Sequence, residues 1–324
     1  MANGLAVVLS GGGAKGAFQV GVLDELISNR GVKIDIFAGV STGSIQALGG
    51  AMNDMPALLN EWLSIRGNGD IYKKRPLGAA GAAFGADSIY DAKPLKDKLN
   101  AYADPAKLKA ARKKLLVGVV NLATGAYQDI DGANPDIGDW VYASCAQPPF
   151  FQPLKTKSAA GVTEQWVDGG VRNVTPLSAA MDQRPRAVLV VLASAPKPAK
   201  EPGKIYDNLI EIALRASGIL VSEVSSNDTQ NAMLINDLLA AREAQVRQLA
   251  ALGITGADAA RVLAPIDLPL AQYKFAPIRI LHPPAGFAEA ETLDFKPATI
   301  RAAIDAGRAT VAEQWPSLRV FLGL

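Results

Sequence analysis

The sequence contains one histidine and one cysteine among 324 residues, and each scarcity closes off a class of chemistry. Cys145 alone cannot form an internal disulfide, and Cys145 with His282 cannot furnish the nitrogen and sulfur ligands of an ordinary zinc site. A reducing compartment is expected, with no metal and no cofactor. An excess of one charge is missing too: 33 basic and 31 acidic residues leave a net +2, and no run of like charge is long enough for a nucleic-acid arm. Nucleic acid is not an expected partner, and attraction to anionic lipid, about 1 kcal/mol per basic group near a membrane surface, is opposed by the acids. Long apolar runs are also lacking. No stretch approaches the roughly 20 apolar residues that cross a bilayer, so any membrane contact is expected to be peripheral. The first four residues, Met1-Ala2-Asn3-Gly4, carry no basic side chain, and the apolar run Leu5–Leu9 is too short for a signal-peptide core before Ser10-Gly11-Gly12-Gly13 interrupts it. Cytoplasmic residence is the expectation.

What the chain does have is apolar material, 49% of its residues, enough for the core of one large domain or two small ones. Leu5–Leu9 is β-branched and aliphatic and stops at glycines, the pattern of a strand buried on both faces. The helix expected next carries Phe18, Val22 and Leu26 four apart, with Leu23 and Ile27 beside them and Asp24 and Glu25 on the wet side. A second strand is expected over residues 34–38, then a second helix from near Ser41 through Leu48 toward a break at Pro56. Two strand-turn-helix units in succession imply a parallel sheet, and aliphatic runs at 115–120, 187–192 and Ile278–Leu281 read as further strands, so the fold class is α/β. Asp131-Gly132 suggests a hairpin or tight turn, and the acids around it (Asp129, Asp131, Asp136, Asp139) lack the spacing of a calcium loop.

The proline- and lysine-rich span 196–202 reads as an exposed connection. A helical region is expected over residues 205–252, with Leu209, Ile212 and Ile219 in one stretch and Leu234, Leu238 and Leu239 in another; a cap beside the site and core helices explain it equally. The whole chain is taken as one domain, with its motifs in 1–195, a helical insertion or cap in 196–260, and a C-terminal strand and helix in 261–324.

Three motifs carry chemistry. Gly39-Val40-Ser41-Thr42-Gly43 is a G-x-S-x-G sequence placed between an expected strand and an expected helix. Small flanking residues let the chain turn sharply there and expose the serine hydroxyl at a helix N-terminus, whose dipole favours developing negative charge. A serine capping an ordinary helix is the competing reading. Gly11-Gly12-Gly13-Ala14-Lys15-Gly16 closes the first strand and opens the first helix, so successive backbone N–H groups converge on an anion. The same residues satisfy G-x-G-x-x-G, and Asp35 lies near the position of a dinucleotide's ribose-binding acid, which keeps nicotinamide or flavin binding as an alternative. Against it, the acid belongs at a strand's end, and Asp35 lies before most of its strand. Lys15 is an electrostatic contributor or a solvated first-turn residue. Asp168-Gly169-Gly170 follows Trp166-Val167, and taken alone reads as a turn.

In their order and context these motifs resemble the patatin-like phospholipase family: a glycine-rich oxyanion loop with Lys15 and Gly16, an elbow bounded by Gly39 and Gly43, and a D-G-G motif ending in Gly169 and Gly170. Residues 143–153, small side chains followed by Pro148-Pro149-Phe150-Phe151, are similar to the family's segment ahead of the aspartate. Leu293-Asp294-Phe295 with a helix ending near Gly307 is similar to the tail of bacterial members. The resemblance implies a three-layer α/β/α fold with a mostly parallel sheet, hydrolysis of fatty acyl esters of phospholipids or lysophospholipids, Ser41 as nucleophile, Asp168 as its base, and an oxyanion hole from the backbone of Gly11, Gly12 and Gly13. The expected partner is a lipid or acyl-ester substrate. A triad with His282 is the competing mechanism, since Ser41, Asp168 and His282 occur in the order of α/β-hydrolases. An acyltransferase using the same serine is a further alternative, although Val40 stands where malonyl-transferase relatives place a histidine.

Overall fold

Runs of aliphatic residues too short for helices supply the strands, and the polar or glycine-bearing stretches between them supply helices and turns. A computed structural model describes residues 4–75, 81, 85–195, 202–284, 287 and 291–324. In chain order these residues form β1 (Leu5–Leu9), α1 (Ala17–Asp24), β2 (Ile36–Val40), α2 (Thr42–Ala51), α3 (Met55–Ser64), β3 (Lys73–Lys74), β4 (Tyr90–Asp91), α4 (Lys93–Tyr102) and α5 (Pro105–Ala111). There follow β5 (Lys114–Asn121), β6 (Tyr127–Asp131), α6 (Ile137–Cys145), β7 (Leu154–Lys157), β8 (Thr163–Asp168), α7 (Leu177–Asp182) and β9 (Ala187–Val191). The C-terminal part holds α8 (Leu209–Ala251), α9 (Gly256–Leu270), β10 (Ile278–Leu281) and α10 (Pro297–Leu322).

The main sheet runs β10-β9-β1-β2-β5-β8-β7, with β6 also paired to β5. Its first five strands are parallel, while β6 and β8 run antiparallel to β5, and β7 antiparallel to β8. Because side chains alternate along a strand, Leu5, Val7 and Leu9 face a core shared with α1, α2 and α10, while Ala6 and Val8 face a second core with Leu177 and Ala180 of α7. Helices on both faces of a mostly parallel sheet make three layers, α/β/α. Among the described residues no helix is long and apolar enough to cross a membrane.

Several local expectations shift. Asp24 and Glu25 are not on the wet side: each is 8% exposed. Their side of α1 is covered by α10, whose Arg308 reaches Asp24 at 2.7 Å, while Arg30 binds Glu25 at 2.8 Å and lies over the ring of Trp315. The covering helix comes 280 residues later, so no local pattern announces it. The helix expected to end near Gly307 continues to Leu322; Gly307 lies where α10 crosses α1, and a β-carbon there would meet the Phe18 carbonyl. The glycine permits close approach, and the terminus falls at Gly323, whose φ of 71° is the left-handed C-cap conformation.

The turn at Asp131-Gly132 closes β6, with Asp131 accepting the Ala133 N–H, and the hairpin itself is the upstream link from Asn121 to Ala126. Most of the 196–202 connection lies outside the described residues. The helical region becomes α8 and α9 and runs to Leu270, past the expected boundary at 260. Core helices do not explain it: Leu209 is 68% exposed, and α8 buries only Thr229, Asn236 and Leu249.

Candidate active site

Strand register brings the serine and the aspartate together. Gly118 of β5 pairs with Val40 of β2 on one edge and Asp129 of β6 on the other; Val119 pairs with Gln128 of β6 and Asp168 of β8. Since β6 holds one edge of β5 throughout, β2 and β8 share the opposite edge, one taking over where the other stops. The residue after the end of β2 is Ser41, and the residue at the end of β8 is Asp168, so 127 residues of sequence separation shrink to adjacent rungs of the sheet.

The elbow at Ser41 has the backbone its motif requires. Its φ is 54° and ψ −133°, a conformation that costs a residue with a side chain roughly 1–3 kcal/mol and persists only where the surroundings enforce it. At the N-cap position just ahead of α2 its side chain makes no capping hydrogen bond, which removes the helix-cap reading. Ser144 of α6 holds the strained residue in place. Fully buried, its Oγ accepts the Ser41 N–H at 2.9 Å and donates to the Gly118 carbonyl at 2.7 Å, stitching the elbow to β5 where β2 departs. Ser44 donates its hydroxyl to the Ser41 carbonyl at 2.6 Å. Gly39 and Gly43 flank the turn, and a β-carbon on Gly43 would enter the carbonyls of Leu9 and Ser10.

Asp168 is 3% exposed. Its Oδ1 accepts the Gly170 N–H at 2.7 Å, so the D-G-G turn is real and also orients the carboxylate, while its own N–H donates to the Ala146 carbonyl at 3.1 Å. Gly169 lets this turn pass against the Gly118 carbonyl. Burial pushes the Asp168 carboxyl up to about 7, against the Gly170 N–H and the Ser41 hydroxyl, whose hydrogen bonds favour the charged form. Neighbouring Cys145 is buried, and burial holds its thiol well above the ordinary range, which makes it a poor nucleophile.

The glycine loop packs on this pair. A β-carbon on Gly11 would lie 3.1 Å from that of Ser41. Its N–H, however, donates to the Val174 carbonyl at 3.1 Å, so of the three glycines expected to offer donors, Gly11 is committed. No acceptor among the described residues takes the N–H of Gly12 or Gly13. Gly13 adopts φ 59°, and Ala14 donates to the Thr292 carbonyl at 2.9 Å. From behind, Gln46 donates to the Gly16 carbonyl at 3.1 Å and Gln19 donates to the Ser10 carbonyl at 2.9 Å. Lys15 is half-buried in the turn Gly13–Gly16.

Beside Ser41 opens an apolar cleft of about 780 Å³, counting its open mouth. Ile45, Trp62, Leu95, Leu99, Phe151 and Phe295 line it, and Glu61 and Lys98, 3.8 Å apart, stand at its solvent-facing edge. None of its described lining comes from α8. Two expectations separate from the site. His282 follows β10, three strands from β2, a distance of about 14 Å at the usual ~4.8 Å spacing, and its Nδ1 lies 2.8 Å from the Pro283 carbonyl. Asp35 immediately precedes β2 and accepts the Leu5 N–H, at the opposite end of the sheet from the glycine loop, where it has no access to a ribose there. Sequence reasoning missed Ser144, Gln19 and Gln46; the only trace of Ser144 was its place in the small-residue run ahead of Pro148.

A profile of the patatin-like phospholipase family matches residues 7–181, just over half of the chain and all three motifs. The chain belongs to that family. Over 176 residues it is 30% identical to a protein of Escherichia coli named cUMP-AMP-activated phospholipase, with 51% of this chain and 53% of the relative covered. It is 28% identical over 239 residues to Bacillus subtilis (strain 168) YqhO, covering 63% of this chain and 76% of the relative. The chain thus spans about half the length of the first relative and three quarters of the second. Among solved structures it is similar to VipD of Legionella pneumophila, with 15% identity, a TM-score of 0.44, and coverage of 98% of this chain and 67% of that one. Family membership supports a hydrolase.

Proposed function

We propose that this patatin-like chain is a lipid acyl hydrolase working through a Ser41–Asp168 dyad. The observation that carries the reading is the meeting of a strained, uncapped Ser41 with a buried carboxyl whose pKa sits at about 7. A carboxyl of ordinary acidity is a weak base toward a serine hydroxyl; one raised to near neutrality is matched to proton transfer at physiological pH.

In the reaction, Asp168 takes the hydroxyl proton as Ser41 Oγ attacks the ester carbonyl carbon. The oxyanion that forms is stabilised by the N–H groups of Gly12 and Gly13, preorganised so that no reorganisation is needed as charge develops. Collapse breaks the bond to the alcohol, which leaves with the proton held by Asp168, and an acyl-enzyme remains. Water then gives a proton to Asp168 and its oxygen to the acyl carbon, and the returned proton frees Ser41. The apolar cleft next to Ser41 suits a fatty acyl chain, and Glu61 and Lys98 at its edge keep the polar end in water. The substrate is accordingly a fatty acyl ester of a phospholipid or lysophospholipid, met by peripheral contact with a lipid surface.

Hydrolysis of a p-nitrophenyl ester and of a lysophospholipid, with release of free fatty acid measured, tests the reading on wild type, Ser41→Ala, Asp168→Asn and His282→Ala. Loss in the first two variants and retention in the third is expected. Activity retained by folded Ser41→Ala would overturn it, and acyl transfer without fatty acid release would favour a transferase.

A further inference from the structure

We infer that Asp228, on the long helix α8 and beyond the residues matched by the family profile, is a positioning residue for the oxyanion loop. The inference rests on the reading of Ser41 and the glycine loop given above. One carboxylate oxygen, Oδ2 of Asp228, accepts the N–H of Val174 at 2.9 Å and of Thr175 at 3.0 Å. With the Asn173 amide in the orientation that satisfies both its ends, its nitrogen donates to the same oxygen at 3.1 Å. Beside it, the hydroxyls of Thr175 and Ser225 lie 3.0 Å apart.

The segment so held is the one that touches the reaction machinery on both sides. Upstream, Asn173 donates its N–H to the Gly169 carbonyl at 2.9 Å, so the segment continues without a break from the Asp168 turn. Across from it, the Val174 carbonyl accepts the Gly11 N–H at 3.1 Å, and a β-carbon on Gly11 would lie 3.7 Å from Val174 Cγ1. Val174 and Thr175 are each 1% exposed, so neither N–H has water as a substitute acceptor. The chain of contacts is therefore Asp228 to Val174, Val174 to Gly11, and Gly11 to the Gly12 and Gly13 N–H groups beside Ser41. Asp228 touches no reacting atom. Its carboxylate fixes the height of the Val174 carbonyl, which fixes the rotation of the Gly11 peptide and, with it, the aim of the next two N–H vectors. This also assigns α8 a task in its middle, where it packs against the segment between the Asp168 turn and α7.

The test compares wild type, Asp228→Ala, Asp228→Asn and Ser41→Ala on a soluble short-chain p-nitrophenyl ester, together with inhibition by a trifluoromethyl ketone, which forms an oxyanion on the serine, and by the matching unreactive ether. Donors that act on the oxyanion alone change kcat and leave KM. Removing one oxyanion-hole donor outright costs about 10²–10³ in kcat, so a misaimed pair is expected to cost about tenfold or more. Asp228→Ala is expected to lose that factor in kcat with KM within twofold, and to lose affinity for the ketone by a similar factor while binding the ether as wild type does. Asp228→Asn, which keeps an oxygen acceptor, is expected to recover most of the loss. Should Asp228→Ala fail to fold, Asp228→Gln, which displaces the acceptor by one methylene, carries the same readouts. A folded Asp228→Ala with wild-type kcat, equal loss of ketone and ether binding, or no recovery in Asp228→Asn would overturn the inference. Activity in Ser41→Ala would instead mark failure of the dyad reading, which keeps the two distinguishable.

Discussion

If Asp168 is the base, the rate must follow its ionisation. Burial raises this carboxyl from 3.8 to about 7, and the Gly170 N–H and Ser41 hydroxyl recover only part of the loss. At about 1.4 kcal/mol per factor of ten, that displacement corresponds to roughly 4 kcal/mol of disfavour for the charged form. Two consequences follow with opposite signs. Only the carboxylate accepts a proton, so kcat/KM for a soluble ester should rise about tenfold per pH unit up to pH ~7 and level off above it, leaving about one tenth of the plateau at pH 6. Stability moves the other way. Between pH ~4 and ~7 the folded chain holds a proton that the unfolded chain has released, so this group's contribution to stability is fully present below pH ~4 and falls by about 1.4 kcal/mol per pH unit until it is lost above pH ~7. Asp168→Asn keeps an acceptor for the Gly170 N–H and carries no charge. It is expected to be inactive, yet more resistant to urea than wild type at pH 8, with the difference vanishing near pH 4. The assays are ester hydrolysis read at the isosbestic point of p-nitrophenol and urea denaturation at both pH values. A flat rate from pH 5 to 8, or an Asp168→Asn variant less stable than wild type at pH 8, would refute the argument that burial tunes this base.

Three other outcomes are expected. Ser144→Ala leaves the Ser41 N–H and the Gly118 carbonyl without a partner, at about 1–3 kcal/mol each, so thermal denaturation should show a lower Tm and kcat should drop with it; an unchanged Tm would mean the bridge does not hold the elbow. Ile45→Trp, one helical turn past Ser41, places bulk in the cleft, and a series of p-nitrophenyl esters should show long chains losing turnover while acetate keeps it; uniform loss would place the acyl chain elsewhere. Arg308→Ala strips the partner from Asp24 under α10 and should cost about 1–2 kcal/mol in chemical denaturation, kept low because Arg308 holds about a third of its side chain in water.

The α/β class, the strands and the three motifs were legible in the sequence because each rests on local chemistry. An aliphatic run of five residues bounded by glycines is a buried strand whatever else the chain does, and small residues around Ser41 and after Asp168 are demanded by the turns they make. The limits were local as well: Asp24 and Glu25 were read as wet, and Gly307 as a helix end, because the reading assumed that nothing distant packs on α1. What only the tertiary structure decided is contact between segments far apart in the chain. The succession of β2 and β8 on one edge of β5 sets Asp168 beside Ser41. Val174 takes the Gly11 N–H and so selects which glycines remain free as donors, and the two strands between β2 and β10 set His282 apart from Ser41. Strand register and hydrogen-bond ownership are properties of pairs of segments, and a pattern read along one segment carries no term for its partner.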